Sequence, residues 1–407
     1  TMNNSGSSQK REGVFHITPV SPIHIGSGEK YLPFEYSVAG RDIIIKDIQA
    51  FIEANRDNPQ YAVDAIESGT VDVENKYPRY RVPCFGYSAP VSKTSGPPQS
   101  RKPMNIAAGP RGKVDPNVAK LMKESEQRVK TPPPMPHSKE EAVRGTLIYA
   151  FIKDPFGKPF VPGTSLKGCL RTAIALHLYE KDKSLIREAL VAPKPKQGAF
   201  DPVAEKLFGK GPTNDPLKTF VLRDSNALHM EQHFAVTHVK VMNLVNNALK
   251  EKQGMTILTE SLMPKVGKVS IPFFIDLFRL QKDTALPRAA KDLLADTQTF
   301  EAVFREFSQK LLDHEFEFYN KYRAKEGVVF IEKLRKDNAV YLDLGFGTGW
   351  EAKTIGLGFD TKTLNDVRRK WKLGKNGADI FPKTRKWVHN GQGYVPMGWF
   401  KLEIEWR

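Results

Sequence analysis

Cysteine is almost missing from this chain. Its 407 residues hold two, Cys84 and Cys169. Neither stands in a CxxC pair, so no disulfide framework and no thiolate metal site is written here. Such sparing use suits a reducing compartment, and the cytoplasm is the expected one. Long apolar runs are missing too. No segment approaches the roughly 20 residues that a membrane helix needs, and no membrane partner is expected. The segment from Thr1 to Arg11 is polar and has no apolar stretch of the signal-peptide kind. Residues 1–12 read as a disordered tail. Nine histidines occur, but none in HExxH or another metal-binding spacing. No metal, cofactor or small-molecule substrate is expected.

What the chain has in excess is positive charge. Lys plus Arg number 62 against 46 Asp plus Glu, a formal net charge of +16. Such an excess points to a polyanionic partner. With 40% hydrophobic residues the chain can also bury substantial cores, and its length suits two or three domains.

Short apolar strands are predicted at Val14–Val20, Ile43–Ile45, Gly145–Ile152, Phe220–Leu222, Thr237–Leu244 and Ser270–Leu277. Helices are predicted at Asp47–Asn55, Tyr61–Glu67, Ser165–Tyr179, Pro287–Ala295 and Phe300–Arg323. In the third of these, Leu166, Leu170, Ile174 and Leu178 fall four apart on one face. Between Ser88 and Arg144 the composition changes. Prolines cluster, large apolar residues are rare, and 11 basic residues outnumber 5 acidic ones. Such a stretch cannot bury enough surface to fold alone. It reads as an insertion, with one short helix near Asn117–Val129. The expected fold class is α+β. A strand, glycine loop and helix recur in both halves, so the expected division is 13–219, containing the insertion 88–144, and 220–407.

Three glycine-rich loops carry the chemistry. The first runs Pro22-Ile23-His24-Ile25-Gly26-Ser27-Gly28-Glu29. The second, Pro162-Gly163-Thr164-Ser165-Leu166-Lys167-Gly168, opens a helix. Gly163 permits a tight turn, Thr164 or Ser165 can cap the helix, and Lys167 and Arg171 add charge one turn apart. A helix start with basic residues suits phosphate, although the P-loop spacing is absent. The third, Asp343-Leu344-Gly345-Phe346-Gly347-Thr348-Gly349, resembles the first motif of S-adenosylmethionine methyltransferases. Only 58 residues follow Gly349, too few to complete a doubly wound sheet, and no acidic residue follows at the required distance. Trp350 and Lys353 suit a base and a phosphate better. From Thr361 to Arg407, 11 basic residues outnumber 4 acidic ones and aromatics are interleaved. Basic groups there can grip phosphates while rings stack on unpaired bases. Trp399, Phe400 and Trp406 read as core, and Lys383, Arg385 and Lys386 as RNA contacts.

Taken in order, SPIHIGSGE, VPGTSLKGCLRT, GFGTGWEAKTIG, FPKTRKWV and VPMGWFKL resemble the RAMP superfamily of CRISPR proteins. Within it the pattern is most similar to the fifth-subunit family of type III-A Csm effector complexes. The resemblance implies two ferredoxin-like (RRM-like) domains and a non-catalytic subunit that caps the 3′ end of the guide RNA (crRNA) filament. It implies support of guide maturation through separate cellular exoribonucleases. The implied partners are crRNA, target RNA and other Csm subunits, especially the backbone and small subunits. The candidate RNA contacts are then His24, Gly26, Ser27, Gly28, Gly163, Thr164, Ser165, Lys167, Arg171, Gly345, Gly347, Thr348, Gly349, Trp350, Lys353, Lys383, Arg385 and Lys386. Two other assignments stay open from the residues alone. One is a metal-independent endoribonuclease using His24 or His16 as general base. The other is a related subunit of the type III-B complex.

Overall fold

The computed structural model describes residues 10–68, 77–86, 146–191, 201–374 and 380–407. The insertion 88–144, with its expected helix, and residues 1–9 of the expected tail lie outside them. The described strands are, in chain order, β1 (Lys10–Pro19), β2 (Gly26–Tyr31), β3 (Tyr36–Ala39), β4 (Asp42–Lys46), β5 (Pro78–Phe85), β6 (Ile148–Phe151), β7 (Phe220–Leu222) and β8 (Phe234–Val245). They continue as β9 (Ala248–Glu251), β10 (Ile257–Leu262), β11 (Val269–Asp276), β12 (Val340–Asp343), β13 (Thr384–His389), β14 (Tyr394–Pro396) and β15 (Trp399–Trp406). Residues Lys10 to Glu12, expected in the tail, already belong to β1.

Five strands form the first sheet, in the order β12-β15-β1-β11-β7, with every neighbouring pair antiparallel. The last four of these, with helix Gly163–Lys181 between β1 and β7 and helix Thr297–Lys321 between β11 and β15, make a β-α-β-β-α-β ferredoxin-like unit. β11 alternates buried and half-buried residues along its length, as expected of a strand with one face on a core. That core is aromatic. Phe15 stacks on Phe273 with centroids 4.3 Å apart, and Phe220, Phe300, Phe304 and Trp406 close around them edge to face or tilted. The leucine ladder of the first helix is buried throughout: Leu166, Leu170, Ile174 and Leu178.

The remaining ten strands form a second sheet, with the path β2-β6-β10-β8-β5-β4-β3; β13 pairs with β8 and β14, and β9 with β8. Its strands come from the connections between elements of the first unit. β2 to β6 lie between β1 and its following helix, β8 to β10 between β7 and β11, and β13 and β14 between β12 and β15. The fold is therefore α+β, consistent with two ferredoxin-like units. Each sheet draws strands from both sides of residue 219.

The all-antiparallel surroundings of β12 remove the methyltransferase reading, which needs the glycine loop at the end of a parallel strand.

Candidate nucleic-acid interface

The first and third glycine loops are built against each other. Phe346 N–H donates to the His24 carbonyl at 2.7 Å, and Gly398 N–H donates to the Pro22 carbonyl at 3.0 Å. Gly345 has φ +85, and a Cβ there would lie 2.3 Å from the His24 carbonyl oxygen. Only a residue without a side chain fits. The second loop repeats the device. Gly163 N–H donates to Asp224 Oδ1 at 2.9 Å, and a Cβ on Gly163 would lie 2.3 Å from the Arg223 carbonyl oxygen. These two glycines serve close approach of protein backbone to protein backbone. The surface parts of the loops are elsewhere. Gly26, Ser27, Gly28 and Thr164 are exposed, while Ser165, Gly347, Thr348 and Gly349 are partly exposed.

Four candidate contacts are engaged inside the protein. His24 is only 2% exposed. Its Nδ1 lies 2.7 Å from the Glu260 carbonyl, and burial holds its pKa below the ordinary histidine value. Glu260, fully buried, also accepts from Tyr80 Oη, from Phe151 N–H at 2.9 Å and from Lys153 Nζ at 2.5 Å. A histidine so enclosed neither touches RNA directly nor reaches a 2′-hydroxyl. His16 is bound to Ser270 Oγ and Glu405 Oε2, each at 2.9 Å. Lys167 Nζ donates to the Leu217 carbonyl at 2.7 Å. Arg171 pairs with Asp215 and lies 3.9 Å over the Phe208 ring. Both basic residues thus fasten the helix start to the segment around 215–217. Arg385, 6% exposed, sits deeper still. Its Nε donates to both Glu315 carboxylate oxygens at 2.9 and 2.8 Å, and its Nη2 reaches Glu351 Oε1 at 3.3 Å. We therefore remove His24, Lys167, Arg171 and Arg385 from the set of direct contacts. Trp350 packs on Phe381 with centroids 5.2 Å apart and covers Gly356.

Around Arg385 lies a small acidic cavity of about 20 Å³, lined by Glu315, Asp343, Gly347, Gly349, Glu351 and Lys386 among others. That is room for about one water. Ligand atoms of His314, Glu315 and Glu351 come within 4.8 Å of one another. The Arg385 guanidinium already bridges the two carboxylates, so a metal there would meet a full positive charge. The cluster is an ion-pair brace. Glu315 stands in no motif and Glu351, though inside GFGTGWEAKTIG, was not singled out there; their burial beside Arg385 reveals them.

Asp343 closes the cavity. Burial, reinforced by the charge of Glu315, pushes its carboxyl well above the usual range, and Oδ1 has no hydrogen-bond partner. The folded state thus keeps a proton that the unfolded chain releases near pH 4. Stability contributed by this group is present below that pH and lost as pH rises toward the folded pKa. Asp343→Asn is expected to be more stable than the parent, by a margin that widens from pH 5 to pH 8 in denaturant unfolding. A margin that stays constant would mean that Asp343 is ionised in the fold.

Charged side chains do remain at the surface. Lys353 is exposed, and Lys383 and Lys386 are half-buried. Among the described residues none of the three is in an ion pair. Lys386 Nζ lies 4.6 Å from the Phe346 ring centroid. Burial, together with the neighbouring charge of Lys353, lowers its pKa.

The sequence model of the RAMP superfamily matches residues 16–358. A CRISPR system Cms protein Csm5 from Methanocaldococcus jannaschii is 25% identical over 271 residues, 60% of this chain and 62% of that protein. A protein of the same name from Mycobacterium tuberculosis is 28% identical over 173 residues, 40% of this chain and 38% of its own. The chain thus aligns with less than two thirds of either relative's length. Among solved structures, a chain of a type III-A Csm–crRNA–target RNA ternary complex matches 96% of this chain and 100% of its own at TM-score 0.63 and 21% identity. Csm5 of T. onnurineus matches 95% of this chain and 99% of its own at TM-score 0.56 and 19% identity. Together with the antiparallel ferredoxin-like sheet and the ordered glycine loops, these matches place the chain in the RAMP superfamily, with likeness to Csm5 in both sequence and fold.

Proposed function

We propose that the chain is a non-catalytic crRNA-binding subunit of a type III-A Csm effector complex, that it caps the 3′ end of the guide filament, and that it supports guide maturation. Its partners are then crRNA, target RNA, the backbone and small Csm subunits, and host exoribonucleases acting on the guide end. The expected division at 219/220 belongs to the same proposal, as does a cytoplasmic location. Among the described residues, no helix is long and apolar enough to cross a membrane.

One observation carries this reading. Lys353 and Lys386 lie close enough to feel each other's charge, beside the partly exposed Gly347 to Gly349 turn, with Lys383 three residues before Lys386, and among the described residues none of the three is in an ion pair. Lysines so placed grip phosphates, and phosphate contacts hold RNA whatever its sequence. A guide-holding subunit needs that tolerance. The buried state of His24 and the engagement of both His16 ring nitrogens by Ser270 and Glu405 speak for a structural rather than a nucleolytic role.

The test is filter binding of single-stranded RNA across a salt series, with neighbouring subunits present. Binding is expected to be tight and salt-sensitive, with little sequence preference. Changing Lys353, Lys383 and Lys386 together to Ala should flatten the salt slope by up to about two units, at about 0.7 per phosphate contact on a single strand. Changing Lys167 and Arg171 to Ala should leave the slope alone. No binding at moderate salt would end the reading.

A further inference from the structure

Three aromatic rings among the described residues are exposed, and one of them is bare. Tyr61, 54% exposed, lies 6.4 Å from the Phe51 ring, and Phe278, 51% exposed, carries the Lys282 ammonium 4.2 Å from its centroid. Phe156 is 86% exposed, and no other ring or cation of the described residues is in contact with it. It stands in the turn Asp154-Pro155-Phe156-Gly157-Lys158, between β6 and the second glycine loop.

This exposure is not looseness. Asp154 Oδ1 accepts from Phe156 N–H at 2.9 Å and from Lys158 N–H at 2.8 Å. Gly157 N–H donates to the Asp154 carbonyl, and Asp154 N–H to the Lys158 carbonyl, each at 2.9 Å. A bridge between Lys153 and Pro159 closes the turn, and the Lys153 ammonium is fastened to buried Glu260. Asp154, Pro155 and Gly157, with φ +75, account for the turn. Its backbone asks nothing of residue 156, yet holds a phenylalanine ring out in water.

The ring has basic neighbours. The Arg79 guanidinium lies against Gly157, where a Cβ would stand 3.0 Å from Nη2. Arg79 and Lys158 are both exposed, and among the described residues neither is in an ion pair. The one acid of the turn, Asp154, is half-buried and engaged by the two N–H groups. An open ring beside two free cations matches a partner that is flat and anionic. An unpaired nucleotide is both: its base stacks on a ring, and cations hold its phosphates. An apolar protein pocket would take the ring but leave the two cations to lose water without partners.

We propose that Phe156 is a stacking residue for an unpaired base of single-stranded RNA, with Arg79 and Lys158 on the neighbouring phosphates. The proposal rests on the RNA-binding reading above and assigns it a further site. It asks for a base but not for a particular base, since every base has a π-face.

The full chain, with its neighbouring subunits, would be titrated with oligoribonucleotides carrying 2-aminopurine at single, successive positions. Stacking is expected to quench the fluorophore at one register. Phe156→Ser should abolish that quenching and weaken binding about 5- to 140-fold. Because the ring packs on nothing, the unfolding midpoint should not move. Phe156→Leu, apolar but without a π-face, should bind as weakly as the serine variant, and Phe156→Trp should bind at least as tightly as the parent. Arg79→Ala with Lys158→Ala should lower the salt slope by about 1.4 units, at about 0.7 per phosphate contact. An oligomer abasic at the quenched position should bind parent and serine variant equally. If the parent binds RNA and the serine or leucine variant binds it equally well, the stacking site is overturned while the RNA reading survives. If the serine variant loses co-elution with a neighbouring Csm subunit at unchanged RNA affinity, Phe156 is a protein contact and the proposal fails. A parent assembly that binds neither the intact nor the abasic oligomer would overturn the RNA reading itself.

Discussion

Arg385→Met is expected to destabilise the protein by about 3–5 kcal/mol, the usual result of breaking a buried ion pair from one side. The side chain is 6% exposed and holds Glu315 through both carboxylate oxygens. It also reaches Glu351, which is 3% exposed, and lies 3.9 Å over the Phe318 ring. Removing it leaves two buried carboxylates beside a third acid, Asp343, with His314 Nε2, 3.1 Å from Glu351 Oε1, still in contact. Burial works against His314 carrying a proton, but Glu351 bonds to it and raises its pKa. His314 therefore offsets part of the loss below neutral pH, and that offset fades as pH rises through its folded pKa. Arg385→Lys should rescue little, because a single ammonium cannot reproduce the planar fork. A domain stability of about 5–15 kcal/mol makes the effect plain in denaturant unfolding. RNA affinity would fall only as the folded fraction falls. A loss below about 1 kcal/mol, with RNA binding weakened in fully folded protein, would reverse the assignment and make Arg385 a direct contact.

Gly345→Ala should cost about 3 kcal/mol or more, from two additive sources. The left-handed backbone, φ +85, is itself unfavourable for a residue with a Cβ, at about 1–2 kcal/mol. The new methyl would also stand 2.3 Å from the His24 carbonyl oxygen, forcing apart the two loops joined by the Phe346 N–H bond. Gly28 is the matched control. It has φ +93 but nothing within 4 Å of a Cβ, so Gly28→Ala should show the backbone part alone. The difference between the two unfolding free energies measures the seam between the first and third loops. Equal losses would mean that the loops separate without cost, and that the glycine serves the turn only.

Much of the fold was legible along the chain. Alternating or short apolar runs marked β1, β4, β7, β8 and β11 to within a few residues. The four-residue spacing of Leu166, Leu170, Ile174 and Leu178 marked a buried helix face. Helix Lys325–Lys336 was passed over, because four of its apolar residues, Val328 to Ile331, form one short run that reads as neither helix nor strand period. The reading of Trp399, Phe400 and Trp406 as core agrees with their positions: Trp399 and Phe400 are buried, and Trp406 packs on Phe273 and Phe300.

By itself, the sequence determined the α+β class, the excess of positive charge, the glycine loops and their order along the chain. These depend on residue type and spacing, which need no partner in space. Only the tertiary structure decided which basic groups face water. In Lys383-Thr384-Arg385-Lys386-Trp387 the strand period of two puts Arg385 and Trp387 on one face and Lys386 on the other. Sequence reveals that alternation but not which face will meet Glu315 and Tyr319, residues of a helix about 70 positions away along the chain. The same holds for His24, Lys167 and Arg171, whose partners Glu260, Leu217 and Asp215 lie far along the chain. A charge or a glycine declares what it can do; the side chain or carbonyl brought opposite it decides what it does.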